Sequence, residues 1–224
     1  MQTKSCRIMD RAGSYRSIAH PVEGELKDRG SKFIAYAAPT ATEAAVEAHL
    51  AAVRKLHNKA RHHCYAYRLG TDGNTFRAND DGEPSGTAGR PILGQLDSFG
   101  ITDVCVVVVR YFGGTLLGAG GLIQAYRGAA AAALGKAQLV EHTVKDTYRL
   151  DFDYALMGPM MSSLDRIAAE RVGQHFGERG QVDIALPIAE AEHTLHRLKA
   201  YLLGRDPANS PTIEAVPGVV IERL

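Results

Sequence analysis

The chain has 224 residues, of which 45% are hydrophobic and 23% are charged, a composition typical of a globular protein with a packed core. The formal net charge of +1 excludes a uniformly basic surface that would capture nucleic acid by charge alone. The three cysteines, Cys6, Cys64 and Cys105, are too few and too scattered for a disulfide framework, which favours a reducing compartment.

The start of the chain shows neither apolar periodicity nor the apolar stretch of a secretion signal. Residues 1–17 are therefore predicted to form a flexible tail. No segment approaches the roughly 20 apolar residues that a membrane span needs, so we expect a cytoplasmic protein without a membrane contact. Beyond the tail, a shift in composition near 135–145 predicts an N-terminal domain over 18–142 and a C-terminal domain over 143–224.

The N-terminal domain opens with a predicted hairpin, because the turn formers Asp28-Arg29-Gly30 separate two strand-like runs. Thr40 or Thr42 is suited to cap the helix that follows, whose apolar positions recur every three or four residues. The predicted elements are strands Ile18–Lys27 and Ser31–Ala38, a helix between Ala45 and Leu56, and strands His62–Leu69 and Thr75–Ala78.

The second half of this domain contains an almost unbroken β-branched run, Ile101–Val109, which predicts a central strand buried on both faces. The segment Asn79–Gly89 before it is dense in turn formers and predicts an exposed loop. A short helix through Ile92 and Phe99 lies between them. An alanine-rich helix from Leu122 to about Leu134 follows the strand.

The C-terminal domain shows the order βαββαβ, which predicts a ferredoxin-like fold. Its helices each carry one apolar stripe, and the methionines of the first stripe are expected in the core rather than in a ligand site. The predicted elements are strand Thr147–Tyr154, helix Leu156–Glu170, strands Arg171–Phe176 and Gln181–Pro187, helix Glu190–Leu203 and strand Thr212–Ile221.

A glycine-rich loop joins the central strand to the alanine-rich helix in the sequence VVVVRYFGGTLLGAGGLIQAY. Backbone N–H groups and the helix dipole favour a phosphate at such a helix start. The spacing matches neither the P-loop nor the dinucleotide fingerprint, and tight turns with close packing remain the alternative. The glycines concerned are Gly113, Gly114, Gly118, Gly120 and Gly121.

Arg110 ends the apolar strand, so its guanidinium must reach solvent, a carboxylate or a bound anion. Pairing with Asp80 or Asp81 and binding of a ligand both satisfy this requirement. Arg61 and His62 begin another strand, where the period of two places His62 and Cys64 on one face and His63 on the other. This arrangement argues against a zinc site, and no metal or cofactor is predicted.

The segment from Asp80 to Arg90 offers several polar groups suited to a ligand or to the start of the next helix. Its acids suit a hard cation, Ser85 and Thr87 suit a helix cap, and Arg90 suits a phosphate. A capped, solvated loop is the alternative. The candidate loop residues are Asp80, Asp81, Glu83, Ser85 and Thr87. No local spacing supports a catalytic triad, so the sequence favours a binding protein over an enzyme.

Four stretches resemble the Impact/YigZ family: KDRGSKFIAY (27–36), ARHHCYAY (60–67), DDGEPSGTAGRPIL (80–93) and VVVRYFGGTLLGAGGLIQAY (107–126). The resemblance implies an α+β chain. Its N-terminal domain would be like domain IV of the ribosomal translocase, with a left-handed βαβ crossover. Its ferredoxin-like C-terminal domain would be like domain V. Eukaryotic relatives regulate translation by competing for a large activator of an amino-acid-starvation kinase, through an extra domain that this sequence lacks.

The resemblance leads us to expect a translation-associated protein that contacts RNA, the ribosome or a translation factor. An enzyme or binding protein for a phosphorylated small molecule is one alternative, and a pure protein–protein adaptor is another. The predicted contact residues are Arg61, His62, Arg90, Arg110, Tyr111 and the five glycines of the 113–121 loop.

Overall fold

A computed structural model describes residues 13–224, which divide into an N-terminal unit of residues 14–142 and a C-terminal unit over 143–224. Strand β1 (Ser14–Ile18) pairs with a later strand, Leu139–Thr143, in a two-stranded sheet. The prediction of a flexible tail is therefore wrong for residues 14–17, because the pairing partner lies more than 120 residues away and leaves no local pattern. Residues 1–12 of the predicted tail lie outside the described residues.

The N-terminal unit is built on a five-stranded antiparallel sheet. Its strands are β2 (Val22–Asp28), β3 (Ser31–Pro39), β4 (His62–Leu69), β5 (Thr75–Asn79) and β6 (Val104–Tyr111). The order across the sheet is β2-β3-β6-β4-β5. The strands β3 and β4 both run antiparallel to β6 and hence parallel to each other. The connection from β3 to β4 is therefore a crossover, whose left-handedness stays a prediction.

The predicted hairpin is confirmed, with Asp28 paired to Ser31 across a two-residue turn. Arg29 and Gly30 have φ angles of 44° and 80°, which match a type I′ turn and the right-handed twist of the flanking strands. The first strand of the hairpin begins at Val22 rather than at Ile18, because Ile18 belongs to β1.

Three helices cover both faces of this sheet: α1 (Glu43–Leu56), α2 (Gly89–Phe99) and α3 (Gly118–Leu134). Thr42 caps α1 by accepting a hydrogen bond from the Ala45 N–H at 3.2 Å. Val104, Val106 and Val108 of β6 pack with α2 and α3, while Cys105, Val107 and Val109 pack with α1. The prediction of a central strand buried on both faces is confirmed.

The C-terminal unit is a four-stranded antiparallel sheet with two helices. After β7 (Leu139–Thr143), its elements are β8 (Lys145–Phe152), α4 (Met157–Arg166), β9 (Glu170–Phe176), β10 (Gly180–Pro187), α5 (Ala191–Leu202) and β11 (Val219–Arg223). Two short 3₁₀ helices occupy Tyr154–Leu156 and Pro207–Asn209. The strand order β11-β8-β10-β9 and the βαββαβ succession confirm the ferredoxin-like prediction.

Met160 lies fully buried in the core of the C-terminal unit, as expected for a packing methionine. The last strand begins at Val219, seven residues later than Thr212, where the sequence predicted its start. Among residues 13–224, no helix combines the length and the apolar character that crossing a bilayer requires.

Close packing of α3 on β2 depends on Gly24, where an added Cβ would lie 2.3 Å from the Ala133 backbone nitrogen. We expect Gly24→Ala to destabilise the N-terminal unit by about 2 kcal/mol or more, since neither backbone has room to move. Gly94→Ala is the matched control, because its Cβ would meet open space on an exposed helix and should stabilise by about 1 kcal/mol. Amide hydrogen exchange of β6 measures both changes. Equal effects of the two substitutions would contradict the packing argument.

Candidate functional site

A cleft of about 400 Å³ lies where β6 ends and β4 begins. We call it the basic cleft; it is lined by Lys59, Ala60, Arg61, His62, Arg110, Tyr111, Phe112 and Leu116. Antiparallel pairing explains its position, because His62 of β4 and Phe33 of β3 both lie opposite Arg110 of β6. The structure thus brings together four of the predicted contact residues: Arg61, His62, Arg110 and Tyr111.

The back of the basic cleft is a buried ion pair. Arg110 Nη1 donates to Glu83 Oε1 at 2.7 Å, and both side chains are more than nine-tenths buried. The Tyr126 hydroxyl of α3 donates to the same oxygen at 2.8 Å. Of the two alternatives for Arg110, pairing with a loop carboxylate is the one observed, but the partner is Glu83 rather than Asp80 or Asp81. The Arg110 Nε is buried and has no hydrogen-bond partner among the described residues.

The thiol of Cys64 extends this network, since its sulfur lies 3.3 Å from the Tyr126 hydroxyl and 3.0 Å from the Asp80 carbonyl oxygen. Burial raises the pKa of Cys64 to about 12. The thiol is therefore protonated at neutral pH and is a poor nucleophile. Cys64 acts as part of the core beside the cleft.

The loop over residues 79–89 is folded around the carboxylate of Asp80. Its oxygens accept hydrogen bonds from the N–H groups of Gly86, Ala88 and Gly89 at 2.8 to 2.9 Å. Burial alone would raise the pKa of Asp80, but these three donors hold it below its ordinary value. The Asp80 carboxylate thereby accepts hydrogen bonds from N–H groups at the N-terminus of α2 that have no partner within the helix.

Two predictions for this loop are wrong. Ser85 and Thr87 do not cap α2, since the helix has no side-chain cap at its N-cap residue Ala88, and the Thr87 hydroxyl donates to the Pro84 carbonyl at 2.6 Å. The loop is also not fully exposed, because Glu83, Thr87 and Ala88 are buried. The inward Glu83 and the Asp80 hydrogen bonds fix it against the sheet.

The strand period of two places the histidines as predicted, with Cys64 packed towards α2 and α3 and His63 towards α1. His62 Nδ1 donates to the Asp81 carbonyl oxygen at 2.8 Å. A neutral ring with this hydrogen bond has its acceptor lone pair on Nε2. The Asp81 carboxylate accepts from the His63 backbone N–H at 2.7 Å. The loop and the start of β4 are therefore joined by side chains of both segments.

His57 lies between two tyrosines and supports Tyr111, a residue of the cleft wall. His57 Nε2 lies 2.7 Å from the Tyr36 hydroxyl, and its Nδ1 lies 3.0 Å from the hydroxyl of Tyr111, a cleft residue. A neutral imidazole has one donor and one acceptor nitrogen, so one tyrosine donates and the other accepts. Burial lowers the pKa of His57, and the charges of His63 and Lys32 lower it further.

Of the five glycines in the 113–121 segment, some lie in the loop before α3 and others in the helix itself. Gly113 serves packing, because an added Cβ would lie 1.9 Å from the Gly30 carbonyl carbon in the hairpin turn. Gly118, Gly120 and Gly121 belong to the first turn of α3 rather than to the loop, since the helix begins at Gly118. Gly114 has a φ angle of 88°, which a side chain would strain.

Neither Arg90 nor any of the five glycines is among the residues that line the basic cleft, and Arg90 lies elsewhere in the unit. It lines a separate groove of about 550 Å³ formed by α2 and α3, together with Arg127. Four cleft residues were not among the predicted contact residues: Lys59, Ala60, Phe112 and Leu116. Phe112 and Leu116 are 58% and 83% exposed, and their apolar side chains in a loop of turn formers were the signal that could have identified them.

The family sequence model of the Impact N-terminal domain matches residues 29–134, which include every residue of the basic cleft. IMPACT family member YigZ of Escherichia coli strain K12 is 34% identical over 83% of this chain and 92% of its own length. The chain belongs to the IMPACT family. Family member YvyE of Bacillus subtilis strain 168 is 38% identical over 67% of this chain and 70% of its own length.

A crystal structure of a protein described only as hypothetical is 33% identical to this IMPACT family member. It matches 86% of this chain and 94% of its own chain with a TM-score of 0.64. This similarity agrees with the α+β architecture of two units described above.

Removing one partner of the buried Arg110–Glu83 pair should lower the free energy of unfolding. We expect Glu83→Gln to destabilise the N-terminal unit by about 3 kcal/mol, because it leaves the Arg110 charge buried without a counter-charge. Glu83→Gln combined with Arg110→Met should cost less than the sum of the single substitutions. Urea unfolding of the four proteins in a double-mutant cycle measures the coupling, and additivity within about 0.5 kcal/mol would contradict it.

The half-buried histidines His49 and His57 should make the N-terminal unit sensitive to acid. Burial lowers the pKa values of His49 and His57, so the unfolded chain binds protons at a pH where the folded chain does not. The free energy of unfolding should therefore fall as the pH drops below about 6.5, the ordinary histidine pKa. Urea unfolding at several pH values between neutral and mildly acidic tests this. A His49→Gln, His57→Gln double variant should show a weaker dependence of the free energy of unfolding on pH. An unchanged dependence would contradict the role given to these two histidines.

Proposed function

We propose that the IMPACT N-terminal unit binds a single-stranded stretch of RNA in the basic cleft, and that the protein acts in translation by contacting ribosomal RNA in the cytoplasm. The observation that carries this proposal is the composition of the cleft. Lys59, Arg61 and Arg110 line it beside the exposed ring of Phe112, and the described residues that line it include no carboxylate.

Cations and an exposed ring together suit nucleic acid, because phosphates need positive charge and unstacked bases need a flat apolar surface. Lys59 and Arg61 are exposed and able to follow a phosphate. Phe112 is 58% exposed, and the Arg110 guanidinium carbon lies 5.5 Å from its ring centroid. Arg110 thereby favours a fixed orientation of the ring on which a base would stack.

The size of the cleft favours a local contact. A volume of about 400 Å³ lies at the lower end of the range for small-ligand sites, which suits one extruded nucleotide rather than a duplex. The net charge of +1 also supports a short contact, since the whole surface offers no broad basic patch. Family membership supports the link to translation, because the resemblance to eukaryotic relatives implies a role there.

The test is cosedimentation with ribosomes and with purified ribosomal RNA at low and moderate salt. Wild-type protein should cosediment, and Lys59→Glu with Arg61→Glu should weaken binding and reduce its salt dependence by about one unit of slope for each lost phosphate contact. Phe112→Ser should weaken binding by about 1 to 3 kcal/mol without changing the salt dependence, because it removes only stacking.

Arg77→Glu is the matched control, since Arg77 is exposed on the edge strand β5 and does not line the cleft. It should bind like the wild type. Arg110→Glu is unsuitable as a test, because it would bury two carboxylates against each other at Glu83. If no cosedimentation occurs, or if Arg77→Glu weakens binding as much as the cleft variants do, RNA binding in the cleft is wrong. A thermal shift with ATP or GTP in that case would favour a nucleotide site.

A further inference from the structure

A second cavity, of about 450 Å³, lies at the other end of the N-terminal sheet. We call it the Asp103 cavity; the residues that matter for its chemistry are Tyr15, Ile18, Pro39, Thr40, Asp103 and Val140. Pro39 lies opposite Val104 in the pairing of β3 with β6, whereas the basic cleft begins six residues along β6, at Arg110. The two sites therefore occupy opposite ends of the same central strand.

Thr40 is the first indication that this cavity is a binding site. Its side chain lines the cavity and is only 4% exposed, yet its hydroxyl oxygen has no hydrogen-bond partner among residues 13–224. A buried hydroxyl without a partner costs about 1 to 3 kcal/mol. A ligand that donates a hydrogen bond would remove this cost.

Asp103 is the second indication. It is a half-buried residue with a left-handed backbone (φ 55°), held there because its carbonyl oxygen accepts from the Thr40 N–H at 2.8 Å and from the Ser17 hydroxyl at 3.3 Å. Its carboxylate accepts from the Gly70 N–H at 2.8 Å and from the Tyr15 hydroxyl. None of the ion pairs in the described part of the chain includes Asp103. A strained residue thus holds an unneutralised negative charge at the cavity wall.

The remaining walls are mainly apolar or aromatic. Ser17 adds a hydroxyl, which donates to the Asp103 carbonyl oxygen, and His142 adds an imidazole. Ile18, Pro39 and Val140 supply aliphatic surface, and the Tyr15 ring stacks on His142 with centroids 5.0 Å apart. Mainly apolar walls around one carboxylate and the unpartnered Thr40 hydroxyl disfavour anions. They suit a ligand with an apolar body and a single positively charged donor group.

We propose that the Asp103 cavity binds a small organic cation, a primary or secondary amine attached to an apolar, ring-bearing body. The ammonium group donates hydrogen bonds to the Asp103 carboxylate and the Thr40 hydroxyl, and the ring packs against Tyr15, Ile18 and Val140. This site is independent of RNA binding in the basic cleft, so either proposal can fail without the other.

The probe is 2-phenylethylamine, with 2-phenylethanol as its neutral counterpart, titrated into the full-length protein and followed by amide chemical shifts. We expect the amine to shift resonances of Tyr15, Asp103 and Val140 with a dissociation constant on the order of 1 mM, as befits a small fragment. The alcohol should bind about tenfold more weakly, because it lacks the charge that Asp103 recognises.

Two substitutions separate recognition from folding. Asp103→Asn keeps an oxygen for the Gly70 N–H and tolerates the left-handed backbone, so it should fold while losing about tenfold in amine affinity and none in alcohol affinity. Thr40→Val removes the unpaired hydroxyl, so it should leave the free protein equally or more resistant to urea while weakening amine binding about threefold.

Three results would overturn the proposal: equal affinity of the amine and the alcohol, amine binding by Asp103→Asn as tight as by the wild type, and no shift of cavity resonances by either probe at about 20 mM. The urea unfolding of each variant shows whether a lost shift reflects lost binding or lost structure.

Discussion

The buried pair of Arg110 and Glu83 is the interaction on which the rest of the N-terminal unit depends. Arg110 ends the central strand, Glu83 comes from the loop before α2, and Tyr126 of α3 donates to the same carboxylate. Neither charge can remain in this position alone, because the desolvation cost of one buried ion is several kcal/mol. The loop, the strand end and the helix are therefore fixed together, and the wall of the basic cleft is fixed with them.

The central strand β6 explains why the two candidate sites carry opposite charges. Residues Val104–Val109 are buried on both faces by helices, so polar side chains are tolerated only where this apolar run ends. Asp103 lies just before the run and Arg110 just after it. Each end of the strand thus presents one ionisable group at the edge of the core, with a carboxylate at one end of the sheet and a guanidinium at the other. Pairing with Glu83 stabilises Arg110, whereas the Asp103 carboxylate has only polar partners among the described residues.

Local patterns in the sequence were sufficient to predict the elements that local interactions determine. The β-branched run of β6, the cap at Thr42 and the Asp28-Arg29-Gly30 turn each act within a few residues, and the structure confirms them. The partner of Arg110 was not predictable in this way. Composition indicated a solvated 79–89 loop. The hydrogen bonds to Asp80 and the bonds of Glu83 to Arg110 and Tyr126 hold Glu83 inward, and the latter two join residues distant in the sequence. The pairing of β1 with β7 was not predicted for the same reason, since it joins segments from the two ends of the N-terminal unit.

The basic cleft combines a rigid part and a mobile part, and this division bears on its specificity. Arg110 is held by Glu83 and by contacts with the rings of Phe33 and Phe112, so it loses little conformational entropy when a ligand binds. Glu83 also neutralises most of the Arg110 charge. Long-range attraction of an anionic ligand therefore depends on the exposed Lys59 and Arg61. Attraction from mobile cations is screened by salt and is insensitive to sequence, whereas stacking on a ring of fixed orientation requires an unstacked base. Under the proposed function, the rigid part would select single-stranded RNA, and the exposed cations would supply the attraction that brings it to the cleft.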